Sequence, residues 1–396
     1  MIRPEFFIDT LGSYGIDFFA GVPDSLLKNF CAVLSARLDS RHNIIAANEG
    51  GAVGLAAGHY LATGRPACVY MQNSGEGNAV NPLASLMDGD VYGLPALLVV
   101  GWRGEPGVKD EPQHVKQGKI TLSLLDCLGI PYSVLSGDEA VASAQIADAL
   151  AAINAGGVYA LVVRKGTFSA PEAVPAAEPS AAAQPSADQP SAAADVPEMS
   201  RESAIQTVAA ALGPQDIVVS TTGMISRELF EYRASAGMGH GHDFLTVGSM
   251  GHASQIALGI ALERPERRVC CFDGDGAVLM HMGSMAIVGQ SGASNYVHIV
   301  FNNGAHDSVG GQPTVGLAVD LCAVARAVGY RSAVRVSTAA ELSSALAALL
   351  PASGAGSSAG PAFLEIVVRK GNRPDLGRPT TTPVQNRDAF MDFLKA

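Results

Sequence analysis

From Ser169 to Glu198 the chain loses all apolar periodicity, and after Ser169 it reads APEAVPAAEPSAAAQPSADQPSAAADVPE. Prolines recur too often there for a helix to persist. No hydrophobic core can run through such a segment, so the chain must fold as separate units joined by a semi-extended Pro/Ala-rich linker. The expected divisions are residues 1–168, a linker over 169–198, and residues 199–396.

Each flank alternates short apolar runs with small-residue helical stretches. In the first, Asp17–Val22, Asn43–Ala47, Ala67–Gln72, Ala96–Gly101 and Tyr159–Arg164 read as strands. Ser25–Ala36, Glu49–Thr63 and Asn78–Met87 read as helices. In the second, the strands are Asp216–Ser220, Arg268–Asp273, Asn295–Asn302 and Ala362–Val368. The helices are His252–Leu262, Val278–Gln290 and Leu317–Val328. A continuous run such as ALLVVG fits a strand covered on both faces, which is the parallel-sheet pattern. The fold class is therefore α/β, with two doubly wound parallel-sheet domains. Their similar size points to a pseudo-repeat, although no clean sequence repeat is visible.

Net charge is −11, from 26 Lys and Arg against 37 Asp and Glu. Without a basic stripe, nucleic acid is not an expected partner. The N-terminal Met1-Ile-Arg-Pro-Glu has no signal-peptide core, and no apolar run reaches about 18 residues, so no membrane span is expected. Six cysteines without a CxxC pair read as core thiols of a cytoplasmic protein.

The sharpest chemical feature is Gly274-Asp275-Gly276 after one strand and Asn302-Asn303 at the end of the next. Both fall at carboxyl ends of parallel strands, the edge where open α/β sheets bind ligands. Mg²⁺ takes oxygen ligands and shares them with phosphates. Asp275 offers a carboxylate, an asparagine offers an amide oxygen, and the glycines let backbone N–H groups approach a diphosphate. The absence of GxGxxG here disfavours a dinucleotide.

This pair of motifs resembles that of the thiamine-diphosphate-dependent enzymes. The resemblance implies a sheet domain of the thiamine-diphosphate-binding type on each side of the linker, with no central third domain. It implies Asp275, Asn303 and the Ala305 carbonyl as Mg²⁺ ligands, although strict counting from Asp275 would favour Asn302 and Gly304. Gly274, Asp275, Gly276, Ala277, Asn302 and Asn303 would contact the cofactor. Glu49, in AANEGGAVGLAAGHYLATG, would be the carboxylate that engages the cofactor's pyrimidine ring. In Gly248-Ser249-Met250, Met250 would prop the cofactor and the Gly248 carbonyl would accept from its amino group. The resemblance also implies a homo-oligomer, dimer or higher, with active sites between subunits.

Five segments narrow this further: GVPDSLL (21–27), ANEGGAVGLAAGHYLATG (47–64), YMQNSGEGNAVNPL (70–83), GWRGEPGVKDEPQHVKQG (101–118) and HDSVGGQPT (306–314). They resemble the phosphonopyruvate decarboxylase family, and the sulfopyruvate decarboxylases share several of them. The implied reaction releases CO₂ from 3-phosphonopyruvate and leaves phosphonoacetaldehyde, within phosphonate natural-product biosynthesis. Such a substrate keeps one anion and needs a cationic seat. Arg103, Lys109, His114, Lys116 and Lys119 cluster after Gly101 and are the candidates, with Gln72 and Asn73 lining the cleft. Ser25 and Asp24 fall where the family places polar groups near the reacting carbon. His306 and Asp307 would position substrate or move protons. Sulfopyruvate decarboxylation, an acetolactate-synthase-like carboligase and a non-catalytic cofactor-binding subunit are the alternatives.

Overall fold

The computed structural model describes residues 1–171, 198–309, 311–350 and 360–395. Residues 172–197, most of the expected linker, lie outside the described residues. The chain divides into two compact units, Met1–Ser180 and Ala181–Ala396.

The first unit holds six strands: β1 (Phe19–Gly21), β2 (Asn43–Ile45), β3 (Ala67–Gln72), β4 (Ala96–Gly101), β5 (Tyr132–Val134) and β6 (Val158–Val163). They form one parallel sheet in the order β2-β1-β3-β4-β6-β5. Every residue of β4 is buried, as the unbroken apolar run requires. Phe7, Phe30, Tyr70 and Phe168 pack edge-on and stacked within the core on one face. The helix Glu49–Thr63 starts where the Asn48 side chain accepts from Gly51 N at 2.8 Å and stops at Gly64, φ 71°. Its Gly and Ala residues let all of it except Tyr60 and Thr63 sink into the unit.

The second unit repeats the topology. Its main sheet comprises β7 (Ile217–Ser220), β8 (Asp243–Leu245), β9 (Val269–Gly274), β10 (Tyr296–Asn302), β13 (Ser332–Val336) and β14 (Ala362–Val367). The order is β13-β14-β10-β9-β7-β8, again all parallel. Taken in chain order, these six strands occupy the places of β1 to β6, so the pseudo-repeat lies in the topology. A two-residue antiparallel ladder, β11 (Ala305–His306) with β12 (Gln312–Pro313), is inserted after β10.

Several elements differ from the sequence reading. The single helix read over 278–290 is two, Asp275–Met280 and Gly283–Gln290, broken at His281 (φ −133°, ψ 48°). The helix read from Leu317 begins at Leu321, where Asp320 accepts from Ala323 N at 2.8 Å. The basic stretch read as one loop becomes helical from Val115 to Cys127, which puts Lys116 and Lys119 on an exposed helix face. The strands without a sequence signal, β5, β8 and β13, have only three to five residues each, too few to display a period.

Two features of this packing have measurable consequences. Gly289 lies against the backbone of Val328, so a Cβ there would collide with the Val328 carbonyl. Gly289→Ala is expected to cost about 1–3 kcal/mol of stability through overpacking; an unchanged denaturant midpoint would refute the contact. Glu76, opening the helix Glu76–Pro82, is 3% exposed, and among the described residues neither carboxyl oxygen has a partner. Burial pushes this carboxyl up from 4.5 to about 8. Between those values the folded chain holds a proton that the unfolded chain releases, so this group's contribution to stability falls as pH rises. Glu76→Gln cannot ionise, and it should gain on the wild type across that window by up to about 1.4 kcal/mol per pH unit. Parallel stability–pH curves for the two proteins would show that Glu76 ionises freely.

Candidate active site

In each sheet the chain reverses direction beside the first strand, between β1 and β3 and between β7 and β9. Such a switch point opens a crevice at the carboxyl ends of the strands. The residues that follow those strands are the candidates in each unit.

In the second unit a pocket at the β7/β9 switch point is lined by residues including Thr221, Met250, Asp275, Asn303, Ala305 and His306. Asp275 directly follows β9, opens the helix Asp275–Met280 and is 2% exposed. Burial raises its carboxyl above the usual range, opposed by a hydrogen bond from the Thr314 hydroxyl. Gly316 lies so close to this carboxylate that a Cβ would strike it, so only glycine lets the Thr314–Gly316 loop close over it. A carboxylate desolvated this far gains from an adjacent cation.

The two asparagines of the motif face different partners. Asn302 Nδ2 donates to the Gly316 carbonyl (2.9 Å) and to Glu365 (2.8 Å), and its Oδ1 accepts from Gly304 N (3.1 Å). Its amide is committed to the interior between β10 and β14. Asn303 lies in the pocket lining with Ala305. Its Nδ2 donates to Asp307 (2.6 Å) and its Oδ1 accepts from Ala305 N (3.0 Å), leaving one lone-pair direction on that oxygen. Asp275, Asn303 and the Ala305 carbonyl together make an all-oxygen donor set of the kind Mg²⁺ takes.

Gly248 (φ 68°), Ser249 (φ 43°) and Gly251 (φ 86°) form a left-handed turn beside this pocket. Ser249 holds a conformation that a residue with a Cβ rarely adopts, a local strain typical of ligand-holding turns. Met250 and the His306 ring both close on Gly276, next to Gly274 and Ala277 in the pocket wall. Asp307 also lines the pocket, but its Oδ2 accepts from Arg201, Asn303 and Gly371 N together. It is a bound carboxylate, not the free proton carrier the sequence pointed to. Asp273 is turned into the sheet, 3.3 Å from His298 Nε2, and does not reach the edge. With Cys271 these two bring possible ligand atoms within 4.8 Å of one another. Both His298 nitrogens are engaged, however, the second by the Tyr330 hydroxyl at 3.1 Å.

In the first unit Glu49 is 8% exposed, and Asn78 Nδ2 donates to its Oε2 at 2.7 Å. Asn78 carries no sequence signal beyond lying one helical turn past Gly75, which abuts the Glu49 side chain. Asp24 and Ser25 follow β1. Asp24 accepts from Leu26 N at 2.8 Å, and the Ser25 hydroxyl receives Arg103 Nη1 at 2.7 Å. Arg103 Nε donates to Asp110 at 2.7 Å, and its Nη2 reaches the same carboxylate. This pairing holds the Asp110 carboxyl well below the usual carboxylate range. The sequence marked Asp110 only as a charge that cancels its neighbours; the fold makes it the residue that orients Arg103.

Asn73 is fully buried and grips the Arg103 peptide from both sides, Nδ2 to the carbonyl (2.8 Å) and Oδ1 from the N–H (3.2 Å). It shapes the arginine's loop and presents no free polar group. Gln72 donates to the Ser74 hydroxyl at 2.6 Å. Lys109 is exposed and His114 half-buried, so of the cations read as one cluster Arg103 alone is paired into the Asp24–Ser25 corner.

Comparison with known proteins fits this geometry. Residues 4–124 match the thiamine pyrophosphate enzyme N-terminal TPP binding domain, and residues 221–366 match the C-terminal TPP binding domain of the same enzymes. Phosphonopyruvate decarboxylase of Streptomyces viridochromogenes is 36% identical over 402 aligned positions, covering 100% of this chain and 95% of that protein. Sulfopyruvate decarboxylase of Methanosarcina acetivorans is 30% identical, covering 84% of each chain. The solved benzoylformate decarboxylase of Polynucleobacter necessarius superposes with a TM-score of 0.69 at 13% identity, over 94% of this chain and 100% of that one, a likeness of fold. The chain thus belongs to the thiamine-diphosphate-dependent enzymes, in the family of the phosphonopyruvate decarboxylases.

Proposed function

We propose that this protein decarboxylates 3-phosphonopyruvate to phosphonoacetaldehyde and CO₂ with thiamine diphosphate and Mg²⁺. The observation that carries the reading is the Asp275–Asn303–Ala305 oxygen set, in a chain that matches phosphonopyruvate decarboxylase from end to end. Thiamine diphosphate, when bound, supplies the nucleophilic carbon and the electron sink that a 2-oxo acid needs in order to lose CO₂.

The chain's own residues do the rest. Asp275, Asn303 and the Ala305 carbonyl hold the metal, and the turn through Gly274, Gly276 and Ala277 offers backbone N–H groups to the diphosphate. Met250 would prop the cofactor and the Gly248 carbonyl would accept from its amino group. Glu49 holds a proton on the cofactor's pyrimidine nitrogen, its carboxylate fixed by Asn78. Arg103, oriented by Asp110 and by the loop that Asn73 grips, seats the phosphonate, with Ser25 beside it and Lys109 and His114 at the rim. Asp24 and His306 are the groups within reach of the reacting end.

Glu49 of one copy serves the cofactor held by another, so the working form is a homo-oligomer. Exposed apolar residues beside each half-site, Ile45 in the first unit and Val247, Val315 and Leu317 in the second, support a covered edge. Six unpaired cysteines support a reducing, cytoplasmic setting, and among the described residues no helix is long and apolar enough to cross a membrane. A product that keeps its carbon–phosphorus bond supports a step in phosphonate biosynthesis. Sulfopyruvate is the competing substrate, favoured by the 30% match to its decarboxylase.

Purified protein should release CO₂ from phosphonopyruvate faster than from sulfopyruvate or pyruvate, and only with thiamine diphosphate and Mg²⁺ present. Preference for sulfopyruvate would keep the chemistry and replace the substrate; no turnover of any of the three would end the decarboxylase reading. Glu49→Gln should lower kcat by about 10²–10⁴-fold with cofactor binding retained. Arg103→Ala should raise KM for phosphonopyruvate by about 10–100-fold, the worth of a charge-assisted hydrogen bond, and leave pyruvate turnover nearly unchanged. Equal losses on both substrates would show that Arg103 holds the loop and not the phosphonate.

A further inference from the structure

Behind the metal loop lies a buried charge network that the reaction itself does not use. Arg201 opens the helix Arg201–Ala211, and its Nε and Nη2 donate to the two carboxylate oxygens of Glu228 at 2.9 Å each. Its Nη1 donates to Asp307 Oδ2 at 2.8 Å. The three side chains are 5%, 1% and 7% exposed. The same Asp307 oxygen receives Asn303 Nδ2 at 2.6 Å and Gly371 N at 2.9 Å.

A primary amide has a donating end and an accepting end, and it turns over easily when nothing distinguishes them. A carboxylate only accepts, so Asp307 captures the NH₂ end of Asn303 and leaves Oδ1 on the side of Ala305, whose N–H donates to it at 3.0 Å. Arg201 and Glu228 in turn fix Asp307 with buried, charge-assisted bonds that have little freedom to swing. Two carboxylates against one guanidinium also leave this network with one net negative charge, which favours a cation close by.

We infer that Asp307, braced by Arg201 and Glu228, is a positioning residue for Mg²⁺, because it anchors the donor end of Asn303 while the Ala305 N–H holds the acceptor end, and the two together set which atom meets the metal. The inference rests on Asn303 being a metal ligand, the assignment made above. Partners that orient a ligand in this way are typically worth 10–100-fold in metal affinity.

The test reads metal binding directly. Mn²⁺ affinity of the full-length protein, with thiamine diphosphate present, is measured by the electron paramagnetic resonance signal of the free ion. Asp307→Asn offers Asn303 an amide in place of a carboxylate and should weaken Mn²⁺ binding by 10–100-fold. Adding Asn303→Asp to that variant should restore most of the affinity, because a carboxylate presents an oxygen whichever way it turns. Should Asp307→Asn fail to fold, Arg201→Lys reads the same link and should weaken binding several-fold. Wild-type affinity in the substituted protein, or weakened affinity that Asn303→Asp does not rescue, would overturn the inference. Absence of Mn²⁺ binding by the wild type would instead overturn the assignment of Asp275 and Asn303 on which it rests.

Discussion

A parallel sheet sends every strand's carboxyl end to one edge, and this structure depends on that constraint. Strands β1, β3 and β4 bring Asp24, Asn73 and Arg103 to one edge of the first sheet. Strands β7, β9 and β10 bring Thr221, Asp275 and Asn303 to the matching edge of the second. The central strands are buried and mostly apolar, so a polar group within them needs a protein partner there, as His298 has in Tyr330 and Asp273, whereas groups at these ends can meet a ligand. Chemistry is confined to the loops by the same burial that stabilises the sheets.

Because both units share one strand order, corresponding loops serve different ends. The turn after β3 closes on a buried asparagine that grips a neighbouring arginine's peptide, whereas the turn after β9 presents a carboxylate. The loop after β4 carries Arg103; the loop after β10 carries Asn303 and the small β11–β12 ladder. One topology thus yields a corner built on an arginine paired with a carboxylate in the first unit, and a corner of carboxylate, amide and carbonyl oxygens in the second.

Much of the site consists of residues that act on other residues. Asp110 orients Arg103, Asn78 fixes Glu49, Thr314 and Gly316 enclose Asp275, and Asp307 holds Asn303. Some of these relations join positions that local sequence does not connect: Asn78 reaches Glu49 across 29 residues, Thr314 reaches Asp275 across 39, and Arg201 reaches Asp307 across 106.

The sequence by itself determined the fold class, the strands Ala67–Gln72 and Ala96–Gly101 and the helix Glu49–Thr63, and it singled out the acids Glu49 and Asp275, which the structure buries beside glycines. These were legible because burial on both faces leaves an unbroken apolar run, and because a ligand-binding turn needs glycine beside its acid. Tertiary structure alone decided how the paired asparagines divide, Asn302 toward Glu365 and Asn303 toward the pocket. Strand alternation sends neighbouring side chains to opposite faces, and only the assembled sheet says which face is the interior. It also paired Asp307 with Arg201 and Asn73 with the Arg103 peptide, and separated Arg103 from the exposed lysines. Sequence spacing carries charge and residue type, but whether a carboxylate is free or already paired depends on which distant cation the fold brings to it.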